Sequence, residues 1–122
     1  METIFNKIIN KEIPSYEVYN DDSFYAFLDI NPINPGHTLV IPKKGQECLL
    51  KESDEVISTL MVKGKEIAQD IMSKLNADGI KFVFNNGAEA GQEVMHTHLH
   101  IIPYYKEEST LTIEEVHELL KK

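Results

Sequence analysis

Three histidines alternate with other residues late in the chain, in His96-Thr97-His98-Leu99-His100-Ile101-Ile102-Pro103. Side chains on a strand alternate between its faces. A strand over Val94–Pro103 would therefore put His96, His98 and His100 on one face and Thr97, Leu99 and Ile101 on the other. Same-face neighbours lie ~6.5–7 Å apart, so the imidazoles form a row facing a cleft or solvent while the apolar set enters the core. Two chemistries suit such a row. A His-x-His pair can chelate zinc, but Zn–N bonds of ~2.0–2.1 Å cannot reach both ends of the row without distortion. A metal would then need remote ligands such as Asp29, His37 or a glutamate. Alternatively, the middle imidazole attacks a phosphorus centre while its neighbours sit beside the phosphoryl oxygens, and no metal is required. Spacing alone leaves both open and leans to the second.

The surrounding elements are readable from periodicity. Ile4, Phe5, Ile8 and Ile9 have helical spacing, and Pro14 closes that segment. Tyr16–Tyr19 and Phe24–Leu28 read as strands around an Asn20-Asp21-Asp22 turn. A loop over Asn31–Gly36 leads into a strand, His37–Pro42. Ser53 can cap a long helix whose first turn carries Asp54 and Glu55. Its apolar stripe is Ile57, Leu60, Met61, Gly64, Ile67, Ala68, Ile71 and Leu75, with Gly64 marking close packing on a sheet. Lys81–Asn85 reads as a strand, followed by a loop from Asn86-Gly87 to Gly91. Thr112 and Glu115 make a capping box for a helix over about residues 112–121. An early meander, a helix and a second strand pair favour an α+β fold with an antiparallel sheet over a doubly wound one.

At 122 residues the chain suits one domain, and 42% hydrophobic with 26% charged residues is ordinary globular usage. The formal net charge of −8 opposes nucleic-acid or membrane-surface binding, since both targets are polyanionic. Every basic side chain is Lys, so no guanidinium fork is available for phosphate. An anionic ligand must be held by His, Lys, backbone amides and helix N-termini. The single cysteine, Cys48, excludes an intramolecular disulfide and is read as structural. No secretory leader and no apolar run of ~20 residues is visible, which points to a reducing, cytoplasmic compartment.

The segments Gly36-His37-Thr38-Leu39-Val40-Ile41-Pro42-Lys43-Lys44 and Gly91-Gln92-Glu93-Val94-Met95-His96-Thr97-His98-Leu99-His100 together resemble the histidine triad (HIT) superfamily. Thr3-Ile4-Phe5-Asn6-Lys7-Ile8-Ile9 and Phe27-Leu28-Asp29-Ile30 resemble its Hint branch, the histidine triad nucleotide-binding proteins. The similarity runs from about Thr3 to Pro103. It implies a sheet of about five antiparallel strands with one long helix and short flanking helices, and the helix over about residues 112–121 lies beyond it as an appended tail. It also implies a twofold homodimer that binds purine nucleotides and hydrolyses nucleoside phosphoramidates or related nucleoside-monophosphate adducts, without a cofactor.

Carried over by position, His98 would be the nucleophile forming a nucleotidyl-histidine intermediate. His96 and His100 would contact the α-phosphate or the leaving-group side, and His37 would support the proton network. Asp29 would accept hydrogen bonds from the ribose hydroxyls. Ile4, Phe5, Ile8, Phe27 and Ile30 would line the base pocket, with Asn85, Gly91, Glu93 and Val94 along the phosphate loop. The resemblance leaves two alternatives: a dinucleoside polyphosphate hydrolase, as in the Fhit branch, and a nucleotide-binding interaction protein with incidental catalysis.

Departures from the pattern carry information. Many members hold a structural zinc with a Cys-x-x-Cys near the start and a histidine after the Pro-Lys-Lys segment. Those places are Thr3, Asn6 and Gly45 here, so no metal is expected. Glu93 stands where animal members place a hydroxyl residue. Taken without the resemblance, Asp29 also suits a turn before Asn31-Pro32, and Ile4, Phe5 and Phe27 suit a plain core. Lys43-Lys44, Glu89, Glu93 and His117 then read as solvated surface.

Overall fold

The computed structural model describes residues 2–122. Helix α1 (Ile4–Ile9) opens with a capping box in which Thr3 Oγ1 accepts from Phe5 N–H and the Asn6 side chain accepts from Thr3 N–H. Strands β1 (Glu17–Asn20), β2 (Phe24–Leu28) and β3 (Thr38–Pro42) form the meander. Helix α2 (Asp54–Leu75) follows, with Ser53 Oγ accepting from Val56 N–H and Asn76 closing it in the left-handed region at φ 55°. Strands β4 (Gly79–Val83) and β5 (Leu99–Tyr104) and helix α3 (Ile113–Lys121) complete the chain. The sheet order is β1-β2-β3-β5-β4, and every neighbouring pair is antiparallel. The fold is α+β, as the segment pattern predicts. Among the described residues no helix is long and apolar enough to cross a membrane.

Both faces of the sheet are covered, so β2 and β3 are buried along their whole length. Phe24, Ala26, Leu28, Val40, Leu99 and Ile101 pack with Leu60, Ile67, Ala68, Ile71 and Leu75 of α2. On the opposite face Tyr25, Phe27, Leu39 and Ile41 pack with Phe5 and Ile8 of α1. Leu60 and Ile71 are fully buried, and each contributes on the order of 1.5–3 kcal/mol of hydrophobic stabilisation. His100 pairs with Leu39 across the β3–β5 ladder and so belongs to the α1 face. A Cβ at Gly64 would lie 2.5 Å from Leu99 Cδ2, the close helix–sheet approach that a glycine in this stripe predicts.

Two expectations are corrected. The last strand starts at Leu99, not Val94, because β3 pairs with β5 only as far as Val40–Leu99. His96 and His98 therefore lie outside the ladder, and their placement does not come from strand alternation. Strand β4 covers Gly79–Val83 instead of 81–85, and its ladder with β5 ends at the Val83–His100 pair. The C-terminal helix packs into the core as well: Val116 is 1% exposed, Leu120 is buried, and both lie under α2.

Candidate active site

Four imidazoles gather on the α1 face, and their hydrogen bonds fix where each proton sits. The His98 Nδ1 lies 2.7 Å from the carbonyl of His96. A carbonyl only accepts, so Nδ1 carries the proton and Nε2 keeps a free lone pair. His37 is fixed in the opposite sense: its Nδ1 accepts from the Ile33 N–H at 3.1 Å, so its proton is on Nε2. That proton is donated to His100 Nδ1 at 3.0 Å. His100 must then carry its own proton on Nε2. His96 donates Nε2–H to the carbonyl of Pro42 at 2.7 Å. The neighbouring His98 and His100 rings, 4.9 Å apart, thus pair a lone pair with a hydrogen-bond donor.

Burial keeps all four rings neutral at pH 7. It pushes His98 and His96 below the usual imidazole value, in His96 against the bond to Pro42 and the charge of Glu52. It pushes His37 down as well, against the nearby Asp29 carboxylate. His100 falls to about 4 through burial and the adjacent His98 and His37 rings. His96, His98 and His37 are only 3%, 7% and 3% exposed.

Of the other site residues expected from sequence, Phe5 is central. Its ring meets His98 edge-on at 5.1 Å and His96 at 5.8 Å. Ile8, Phe27 and Val94 pack in the same apolar cluster. Ile4 and Ile30 lie outside it, 49% and 69% exposed. Asp29 makes the turn considered for it, Oδ1 accepting from the Asn31 N–H at 2.8 Å, while Oδ2 lies 3.6 Å from His37 Nε2. Asn85 packs beside Gly91, whose φ of +98° suits glycine, and Glu93 is exposed on the same loop.

Asp29, His37 and His100 each bring one ligand atom within 4.8 Å of the others, a spacing that could seat a small divalent ion. The donor set argues against it. An ion on His37 Nε2 would displace that proton while Nδ1 still accepts from an amide, leaving a ring with no N–H.

Sequence reading missed what holds the segment before β5. Gln92 is buried and its side-chain Nε2–H donates to Glu47 O and Val94 O, while Oε1 accepts from the Gly87 N–H. A glutamine between Gly91 and Glu93, within the motif that leads to the histidines, was the available signal. Glu52, Gln46 and Thr97 form a second tie described below, which no local pattern announces.

The comparisons agree with this architecture. Residues 10–107 match the HIT domain family. A HIT-like protein of Borreliella burgdorferi is 49% identical over 108 residues, covering 86% of this chain and 77% of that protein. A histidine triad nucleotide-binding protein of Sulfolobus tokodaii superposes with a TM-score of 0.92 at 32% identity, over 98% of this chain and 89% of that one. A HIT family hydrolase from Clostridium thermocellum does so with a TM-score of 0.74 at 29% identity, over 89% and 96%.

Proposed function

The chain belongs to the HIT domain family, with the nucleotide-binding hydrolase fold of that family, and from this premise we propose a specific reaction. The protein cleaves nucleoside phosphoramidates or related nucleoside-monophosphate adducts of purines by double displacement at His98. The observation that carries the reading is the His98 tautomer: Nδ1–H held by the His96 carbonyl, Nε2 free, and the His100 Nε2–H beside it. His98 Nε2 attacks phosphorus as the bond to the leaving nitrogen breaks, and that nitrogen takes a proton from solvent and departs as the amine. The ring becomes cationic, and the His96 carbonyl on Nδ1–H stabilises the new charge. His100 donates to a phosphoryl oxygen. Water then displaces the ring from phosphorus, releasing the nucleoside monophosphate and a proton and restoring neutral His98.

Asp29 accepts from the ribose hydroxyls with the lone pairs left free by Asn31. The base rests on the apolar surface of α1 and β2, at Ile4, Phe5, Ile8, Phe27 and Ile30. The loop carrying Asn85, Gly91, Glu93 and Val94 borders the phosphate, with no metal involved. The protein acts in the cytoplasm as a homodimer.

Turnover on an adenosine phosphoramidate, against a dinucleoside polyphosphate, tests the leaving-group class. His98→Ala should keep nucleotide binding and lose at least a thousand-fold in turnover, about 4 kcal/mol in the barrier. Acid-quench mass spectrometry should trap a nucleotidyl adduct on His98 of the wild type. An adduct on another residue, or a His98→Ala variant that keeps most of its turnover, overturns the assignment.

A further inference from the structure

We infer that Glu52 is a positioning residue for His98, acting through Gln46 and Thr97 on the peptide unit whose carbonyl holds the His98 ring. That unit joins His96 to Thr97 and is tied at both ends. Its N–H donates to Gln46 O at 2.9 Å, and its C=O accepts the His98 Nδ1–H at 2.7 Å. A peptide unit is planar, so tilting one end tilts the other. Whatever holds Gln46 O therefore aims the carbonyl that sets the His98 tautomer.

Glu52 is what holds it. A single carboxylate oxygen, Oε2, accepts from the Gln46 N–H at 2.8 Å and from the Thr97 Oγ1–H at 2.5 Å. Both residues of the tie thus converge on one charged acceptor, and hydrogen bonds to charged groups are the stronger kind. Thr97 is 1% exposed, so its hydroxyl relies on a protein acceptor. Glu52 itself is anchored between a short 3-10 turn (Leu49–Lys51), whose Leu49 O accepts its N–H at 3.1 Å, and the Ser53 cap of α2.

The need for such a tie follows from topology. Strand β5 begins at Leu99, so no ladder bond fixes the His96–Thr97 peptide. Without Glu52, that peptide would depend on Gln46, itself in a loop, and on Thr97 with its hydroxyl left to Gln46 O at 3.3 Å. The His98 ring could then turn its proton-bearing nitrogen away from the carbonyl, and a ring protonated at Nε2 cannot attack.

The tautomer claim is independent of the reaction; its consequence for turnover rests on the function proposed above. Long-range proton–nitrogen NMR of the imidazoles reads the tautomer directly, in the wild type and in Glu52→Ala, Glu52→Gln and Thr97→Val. The wild type should show His98 as a single Nδ1–H form, and Glu52→Ala a mixture of both forms. With an adenosine phosphoramidate, Glu52→Ala should lower kcat roughly ten- to a hundred-fold and leave KM within about twofold, as expected when the nucleophile is misplaced but the ligand still binds. Glu52→Gln keeps an acceptor oxygen and should restore both the tautomer and most of kcat. Thr97→Val removes one of the two bonds and should shift the His98 signals the same way by less. A wild-type His98 spectrum in folded Glu52→Ala, or a folded Glu52→Gln that restores nothing, overturns the proposal. Should Glu52→Ala not fold, unchanged His98 signals in Thr97→Val overturn it. A wild type that turns over no phosphoramidate refutes the proposed reaction, while the NMR comparison still decides the role of Glu52.

Discussion

Taking an imidazole out of water disfavours its charged form, and the site does this four times over. Each of His37, His96, His98 and His100 sits below the ~6.5 of a free side chain, with His100 at about 4. In the unfolded chain these rings bind protons first as the solution is acidified, so stability rises with pH across that interval. Their full contribution is present above ~6.5 and is lost progressively as pH falls toward about 4. Urea midpoints measured from pH 7.5 down to 4.5 should therefore fall steadily, and His100→Asn should flatten the fall. A midpoint that rises on acidification would contradict buried neutral histidines. At this scale the sequence exposes the types but not the partners. A lone pair on the central histidine, with the other nitrogen held by a carbonyl, follows from what attack requires. That the carbonyl belongs to His96, two residues back, does not. Glu52 bonds to Thr97 across 45 residues, and Gln92 to Glu47 across the same distance, so no local spacing reveals either.

At the level of elements, α2 and β5 meet where neither can give way. Gly64 faces Leu99, which is fully buried and flanked in sequence by His98 and His100. Replacing a helical glycine by alanine would by itself gain ~1 kcal/mol of helix propensity. Here the new methyl would lie 2.5 Å from Leu99 Cδ2, and overpacking of a dense core costs roughly 1–3 kcal/mol. Gly64→Ala should therefore lower the thermal midpoint and move the His98 and His100 NMR signals. A stabilised variant with an unmoved site would mean that the core yields elsewhere. The helices were legible because caps and stripes are local: Ser53 and Thr112 cap as their types predict, and Thr3 caps α1 in the same way. Strand ends were not, since they depend on the neighbour. Phe84 and Asn85 continue the alternating pattern of β4, but the ladder to β5 stops at Val83–His100. Helix α3 was legible from its capping box, although only the folded chain shows that its apolar residues cover core on α2.

The whole molecule leaves one side of its sheet open. Strand β1 has α3 packed against it, partly through the His117 Nε2–H donated to Glu17 O at 3.0 Å. Strand β4 is the last strand at the opposite end, and among the described residues its outer backbone groups have no strand partner. Such an edge invites pairing with another chain. Phe82 on β4 and Tyr104 at the end of β5 are 41% and 39% exposed, so the same end also presents aromatic surface. A second copy paired antiparallel along β4 would satisfy the edge and cover those rings under twofold symmetry. Charge works against it, because each chain carries a formal −8 and two copies repel. The balance sets a salt dependence: screening weakens the repulsion between exposed charges and leaves apolar and backbone contacts largely untouched. Light scattering should therefore give twice 13.9 kDa at micromolar concentration, with the dimer strengthened between low and physiological salt. Phe82→Asp adds a charge at the edge and removes an aromatic contact, and should return the protein to the 13.9 kDa species without unfolding it. A wild type that stays at that mass in both salt conditions would exclude the pairing along β4.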